Sequence, residues 1–152
     1  MLDLLKKHLA NFSAAKWDDY KAALSNDVTY EEAATQMRAK GPDEYLKLVQ
    51  RWKRAFPDLK ANVIRGFESG DKLVAELEWE GTQSGPLEGP FGTIPATNKR
   101  GRLKAVIIAT VKNGKIASTH HYFDLLTVLN QIGVAPMAGI KAPAAEKPAV
   151  RH

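Results

Sequence analysis

Two histidines, a tyrosine and an aspartate crowd the end of the stretch Lys115 to Gly133, which reads KIASTHHYFDLLTVLNQIG. A carboxylate and two imidazoles at the rim of an otherwise apolar element can move a proton with neither metal nor organic cofactor. Strand alternation puts His120, Tyr122 and Asp124 on one side, with His121 and Phe123 on the other. If the first set faces inward, Asp124 is a general base, and His120 or Tyr122 is a donor to a developing enolate. Partial burial makes a carboxylate more basic, and the donor lowers the barrier. The same aspartate stands where the helix LLTVLNQI needs an N-cap. A cap whose oxygens already accept backbone N–H groups is the weaker base, so the two roles compete.

Other chemistries find little support in the residues. His120 and His121 are strand neighbours that point apart, and the further histidines are His8 and His152, so three or four converging zinc ligands are not in prospect. No metal and no cofactor is expected. The chain has no cysteine, which removes thiol nucleophiles and disulfides and fits a reducing compartment. GPLEGPFG lacks the strand, glycine loop and helix order of a phosphate site, and no serine sits in a nucleophile elbow.

The elements that must position these groups fall into two blocks. Helices are expected over Leu2–Ala14, Lys16–Leu24 and Asp43–Ala55, the third following Gly41-Pro42 and stopping before Pro57. Val28–Glu32 reads as a brief strand between them. Strands then run over Leu59–Phe67, Lys72–Trp79, Arg102–Val111 and Lys115–Phe123, with turns at Ser69-Gly70-Asp71 and Asn113-Gly114. Residues 81–101 hold five glycines and three prolines and read as a long loop, an irregular hairpin or extended strand ends. A last helix covers Leu125–Gln131, closed by Gly133. Helices followed by an antiparallel sheet imply an α+β domain in which the helices cover one sheet face and leave a pocket beneath them.

Aromatic side chains are the candidates for its wall. Trp17, Tyr20 and Tyr30 would form a lip, Trp52 a helical wall, and Trp79 a strand-borne surface, each with core filling as the alternative. Gln83, in WEGTQSGP, is flanked by glycines that let backbone approach a ligand; an exposed loop amide is its plainer reading.

The chain of 152 residues, 44% of them hydrophobic, has enough apolar material for one core. One domain is expected over residues 1–134, followed by an Ala/Pro-rich tail over 135–152. The net charge of +5 is diffuse apart from Lys99, Arg100, Arg102 and Lys104, too sparse for a nucleic-acid footprint. No segment has the length of a membrane span and the first twenty residues lack the apolar core of a signal peptide, so a cytoplasmic protein is expected.

Several of these segments together resemble the SnoaL-like polyketide cyclase and ester cyclase branch of the NTF2-like superfamily. They are KNGKIASTHHYFDLLTVLNQIGV, LEWEGTQSGPLEGPFGTIPATNKR, the Trp17-to-Tyr30 segment and the FPDL of residues 56–59. The resemblance covers about residues 2 to 134. It implies a cone-like barrel, with helices closing a curved, mostly antiparallel sheet around a hydrophobic cavity, and a homodimer formed through the sheet's outer surface. It also implies cofactor-independent aldol chemistry on a hydrophobic or aromatic carbonyl compound. Asp124 is the nearest counterpart of the family's catalytic aspartate, supported by His120 and His121. Substrate would be bound by Trp17, Tyr20, Tyr30, Trp52, Trp79, Gln83 and Tyr122. Ring closure of the enolate gives a cyclase and reprotonation an isomerase; a noncatalytic binding or assembly module is the alternative. The chain departs from the family where a histidine is common, reading Gly81-Thr82-Gln83-Ser84-Gly85, and a glutamine amide does not shuttle protons near neutral pH.

Overall fold

In the computed structural model, which describes residues 1–134, the two blocks pack as an α+β fold. Helix α1 (Leu2–Ser13) turns its Leu5, His8, Leu9 and Phe12 side inward at helical spacing. Helix α2 (Trp17–Ala22) buries Tyr20. Helix α3 (Pro42–Ala55) starts on Pro42, after Gly41 at φ +85°, and buries Tyr45, Val49, Arg51 and Ala55.

Six strands form the main sheet: β1 (Leu24–Glu32), β2 (Met37–Lys40), β3 (Lys60–Ser69), β4 (Lys72–Thr82), β7 (Arg100–Lys112) and β8 (Lys115–Phe123). Their order is β2-β1-β8-β7-β4-β3, antiparallel throughout except for the parallel pair of β1 with β8. That parallel pair joins the first half of the chain to the last, so Tyr30 and Glu32 on β1 lie beside Thr119 and His121 on β8. Strand alternation then decides which of them faces the helices. Burial runs through Leu73, Ala75, Leu77 and Trp79 on β4, through Ala105, Ile107 and Ala109 on β7, and through Thr119 and His121 on β8.

The structure differs from the sequence reading mainly in extended segments poor in β-formers. Strand β2 was not anticipated; it is short, half polar, and held by pairing with β1 from Thr29 to Glu32. Of the three readings of residues 81–101, a long loop, an irregular hairpin or extended strand ends, the last two hold together. β4 and β7 stay paired out to Gly81 opposite Gly101 and Thr82 opposite Arg100, and the remainder folds into a two-stranded hairpin of β5 (Leu87–Gly89) and β6 (Gly92–Ile94). Helix α4 (Leu125–Gln131) and strand β8 have the predicted bounds. The Ala/Pro-rich tail lies outside the described residues. Among those described, no helix is long and apolar enough to cross a membrane.

Candidate active site

Between the helices and the sheet's inner face lies a cavity with about 80 Å3 of free space. Its inner wall is aromatic, with Tyr20, Tyr30, Tyr45, Trp52, Trp79 and Phe123 among the lining residues. It is also bordered by Glu80 and Gly81 of β4, Gly101 and Arg102 of β7, Gln131 at the end of α4 and Ile132 just after it. Glu80 is paired there with Lys60 at 3.0 Å and Arg100 at 3.1 Å.

The chemistry-bearing group on this wall is a chain of buried hydrogen bonds. Trp79 Nε1 lies 3.2 Å from His121 Nε2, and His121 Nδ1 lies 3.1 Å from the Tyr30 hydroxyl. The Tyr30 hydroxyl in turn donates to Glu32 Oε2 at 2.9 Å. An indole N–H can only donate, so His121 Nε2 must carry the lone pair. Tyr30 has spent its own proton on Glu32, so its oxygen accepts from His121 Nδ1–H. The two constraints agree on one tautomer of a neutral ring. Burial pulls the His121 imidazole down to about 4, with the Glu32 charge pushing the other way. Burial, and then the Glu32 charge, hold the Tyr30 phenol well above its ordinary 10.0.

Glu32 is fully buried and accepts from four donors: Tyr30, Thr35 Oγ1 at 2.7 Å, Arg51 Nη2 at 2.9 Å and Trp52 Nε1 at 2.9 Å. Four donors fill the acceptor sites of a carboxylate, and Arg51, also buried, supplies the opposite charge. A second pair, the Tyr45 hydroxyl donating to Thr119 Oγ1 at 2.9 Å, continues the polar line along β8. Among the described residues no cluster of His, Cys, Asp or Glu has the arrangement to hold a metal.

Of the residues singled out from sequence, His121, Tyr20, Tyr30, Trp52 and Trp79 line the cavity. The strand alternation holds, with the opposite set inward. His120 lies on the outer face, 3.1 Å from Glu31, and Tyr122 is exposed beside it. Asp124 is the N-cap of α4: its Oδ1 accepts from the backbone of Leu126 at 3.0 Å and Thr127 at 3.4 Å, and its Oδ2 from the Thr127 hydroxyl at 2.9 Å. It is exposed and off the cavity wall. Gln83 is fully buried away from the cavity. Its amide nitrogen bonds the carbonyls of Gly85, Ile94 and Pro95, and its oxygen accepts from Thr97, so it staples the β5–β6 hairpin. Trp17 packs edge-on against Phe12 and Tyr20 outside the lining set.

Sequence reasoning missed Glu32, Arg51, Tyr45 and the part played by His8. The signal for Glu32 was there: with Tyr30 inward, period two turns Glu32 inward as well, and a buried carboxylate demands a cation. The WK-flanked Arg51 on α3 is that cation, but pairing it with Glu32 requires the tertiary fold.

The profile of the SnoaL-like polyketide cyclase family matches residues 3–132. No curated protein is significantly similar in sequence. Among solved structures, a candidate SnoaL-like polyketide cyclase from Jannaschia sp. CCS1 superposes with a TM-score of 0.78 at 18% identity, over 89% of this chain and 92% of that one. IdmH, a candidate polyketide cyclase from Streptomyces antibioticus, gives 0.73 at 20% identity, over 87% and 97%. A protein of ketosteroid isomerase-like fold from Catenulispora acidiphila, solved with trimethylamine, gives 0.74 at 16% identity, over 87% and 93%. These likenesses establish the fold, and the profile match over nearly the whole described chain places it: the chain belongs to the SnoaL-like polyketide cyclase family, on an NTF2-like α+β scaffold.

Proposed function

We propose that this protein is a cofactor-independent cyclase or isomerase of hydrophobic carbonyl compounds, with His121 as the proton-transfer group. The observation that carries this reading is the buried chain Trp79–His121–Tyr30–Glu32, which opens onto an apolar cavity. A substrate carbonyl that takes the Trp79 N–H for itself frees the lone pair on His121 Nε2. That nitrogen removes the proton from the carbon between two carbonyls, and the C–H electrons pass to the oxygen held by Trp79. Tyr30 conveys the Glu32 charge to the imidazolium that forms. The enolate carbon then attacks a third, remote carbonyl of the same molecule, and His121 returns its proton to the new alkoxide, closing a ring. Return of the proton to another carbon gives an isomerisation instead.

A base lowered to about 4 is weak, which restricts it to carbon acids activated by two carbonyls, the β-keto esters of polyketide chemistry among them. Free space of about 80 Å3 is below the size of typical small-molecule pockets, roughly 300–1,000 Å3. Binding therefore includes outward movement of the aromatic wall or of α4.

The alternative, a noncatalytic binding protein, has one observation in its favour: both His121 nitrogens are already bonded in the free protein. Hydrogen–deuterium exchange separates the two. A 2-alkyl β-keto ester in deuterated buffer is expected to exchange its central proton faster with the protein than without it. His121→Asn should abolish the acceleration and Asp124→Asn should keep it. No acceleration by the wild type supports the binding reading. Loss in Asp124→Asn alone restores the base to Asp124.

The same reading includes a homodimer formed through the outer sheet face. Phe67, Val74 and Tyr122 are exposed there, and Val74 pairs with Phe67 on one side and Ile108 on the other. Such a contiguous apolar patch suits a second copy of the same face.

A further inference from the structure

His8 is 2% exposed, lines the cavity from α1, and makes no hydrogen bond through either ring nitrogen. Buried polar side chains nearby behave differently: Tyr45 is bonded to Thr119, Tyr30 to Glu32, and Trp79 to His121. Among the described residues the buried side-chain atoms without a partner are the two His8 nitrogens and Arg51 Nε. The His8 ring is held by packing instead. It stacks on Tyr20 at 3.8 Å and 16°, and meets Tyr45 edge-on at 6.4 Å. A leucine or phenylalanine would fill this place without leaving polar atoms unsatisfied.

We propose that His8 is a ligand-recognising residue, which receives a hydroxyl group of the bound molecule at the α1 wall. Burial pulls the ring down to about 3; the Tyr20 backbone offsets only part of that and does not meet hydrogen-bond geometry with either ring nitrogen, so the imidazole is neutral. A neutral imidazole offers one donor and one acceptor, and a phenol or alcohol is matched to it because it also does both. A carboxylate or ammonium would bring an uncompensated charge into an apolar wall. His8 reaches His121 only through a succession of ring contacts, His8 to Tyr45, Tyr45 to Tyr30 and Tyr30 to His121, so a hydroxyl at His8 is set apart from the reacting carbonyl. The expected ligand is thus an apolar ring scaffold with a hydroxyl remote from its carbonyl end. This inference rests on the cavity being the ligand site and is independent of proton transfer at His121.

The test uses the full chain with 2-naphthol and naphthalene as matched probes, read by quenching of tryptophan fluorescence. The wild type is expected to prefer the naphthol by roughly ten- to hundredfold in Kd. His8→Phe and His8→Leu should each erase that preference while still binding naphthalene. Ring nitrogen shifts of His8 should change on binding naphthol but not naphthalene. The proposal is overturned if the preference survives both variants, or if the wild type binds the probes equally or binds neither. It is also overturned if the free protein already shows His8 nitrogen shifts of a hydrogen-bonded ring, since a trapped water would then be its partner. Naphthol preference without catalysed exchange on the keto ester would sink the proton-transfer reading and leave this one standing.

Discussion

Asparagine and aspartate cap helices about equally well, and this makes Asp124 a clean experimental handle. Asp124→Asn keeps an acceptor for Leu126 and Thr127 but removes the carboxylate, whereas Asp124→Ala removes both. The alanine variant should lose about 1 kcal/mol of stability in denaturant unfolding and the asparagine variant far less. Equal losses would mean that the cap geometry is unimportant. The two buried histidines give a second residue-scale expectation. His121 is lowered to about 4 and His8 to about 3, from an ordinary 6.5. Between those values and 6.5 the unfolded chain binds protons that the native chain refuses. Stability is therefore full above pH 6.5 and falls as pH drops toward 4, by on the order of 1.4 kcal/mol for each unit separating folded and unfolded pKa. His8→Phe should flatten part of that slope between pH 4 and 6.5; an unchanged slope would show that His8 is not buried neutral.

At the scale of elements, the ion pair between β1 and α3 ties the two halves of the site together. Glu32→Gln leaves Arg51 buried without a counter-charge and puts an NH2 donor in place of the oxygen that accepts two of the four bonds converging on the carboxylate. A loss of 3–5 kcal/mol is expected in chemical denaturation, the range for breaking a buried pair. A loss below 1 kcal/mol would mean that water reaches the pair. The β5–β6 hairpin is held as tightly. A Cβ on Gly85 would run into the Arg54 carbonyl oxygen, so Gly85→Ala must push the hairpin off the end of α3. These elements also show what a sequence discloses. β8 and α4 were legible because an Asn-Gly turn and a cap bracket them with strong periodicity. The β5–β6 hairpin was legible only as one of three readings, because the glycines and prolines of residues 81–101 hide strand propensity and a buried glutamine ties the segments flanking the hairpin from its side chain. The site was half legible: period two put His121 and His120 on opposite faces, but which face is inner depends on β1 pairing in parallel with β8, a contact across about ninety residues that no local pattern encodes.

For the whole molecule, two faces of one sheet serve two purposes. The inner face carries the cavity and its hydrogen-bonded chain, and the outer face carries cross-strand ion pairs such as Arg65–Glu76 and Arg102–Glu78 around the apolar patch. If the proposed dimer forms through this face, Phe67→Glu should turn it into a monomer in sedimentation without disturbing the cavity; a wild type already monomeric at micromolar concentration would remove the dimer. Whether Trp79 holds the reacting carbonyl while His121 takes the proton from the carbon beside it is decided by a crystal structure with a bound β-keto ester. The carbonyl oxygen is expected within about 3 Å of Trp79 Nε1 and the activated carbon against His121 Nε2, with the Trp79–His121 bond broken. A ligand seated at the Asp124 rim, with that bond intact and the cavity closed, would contradict it.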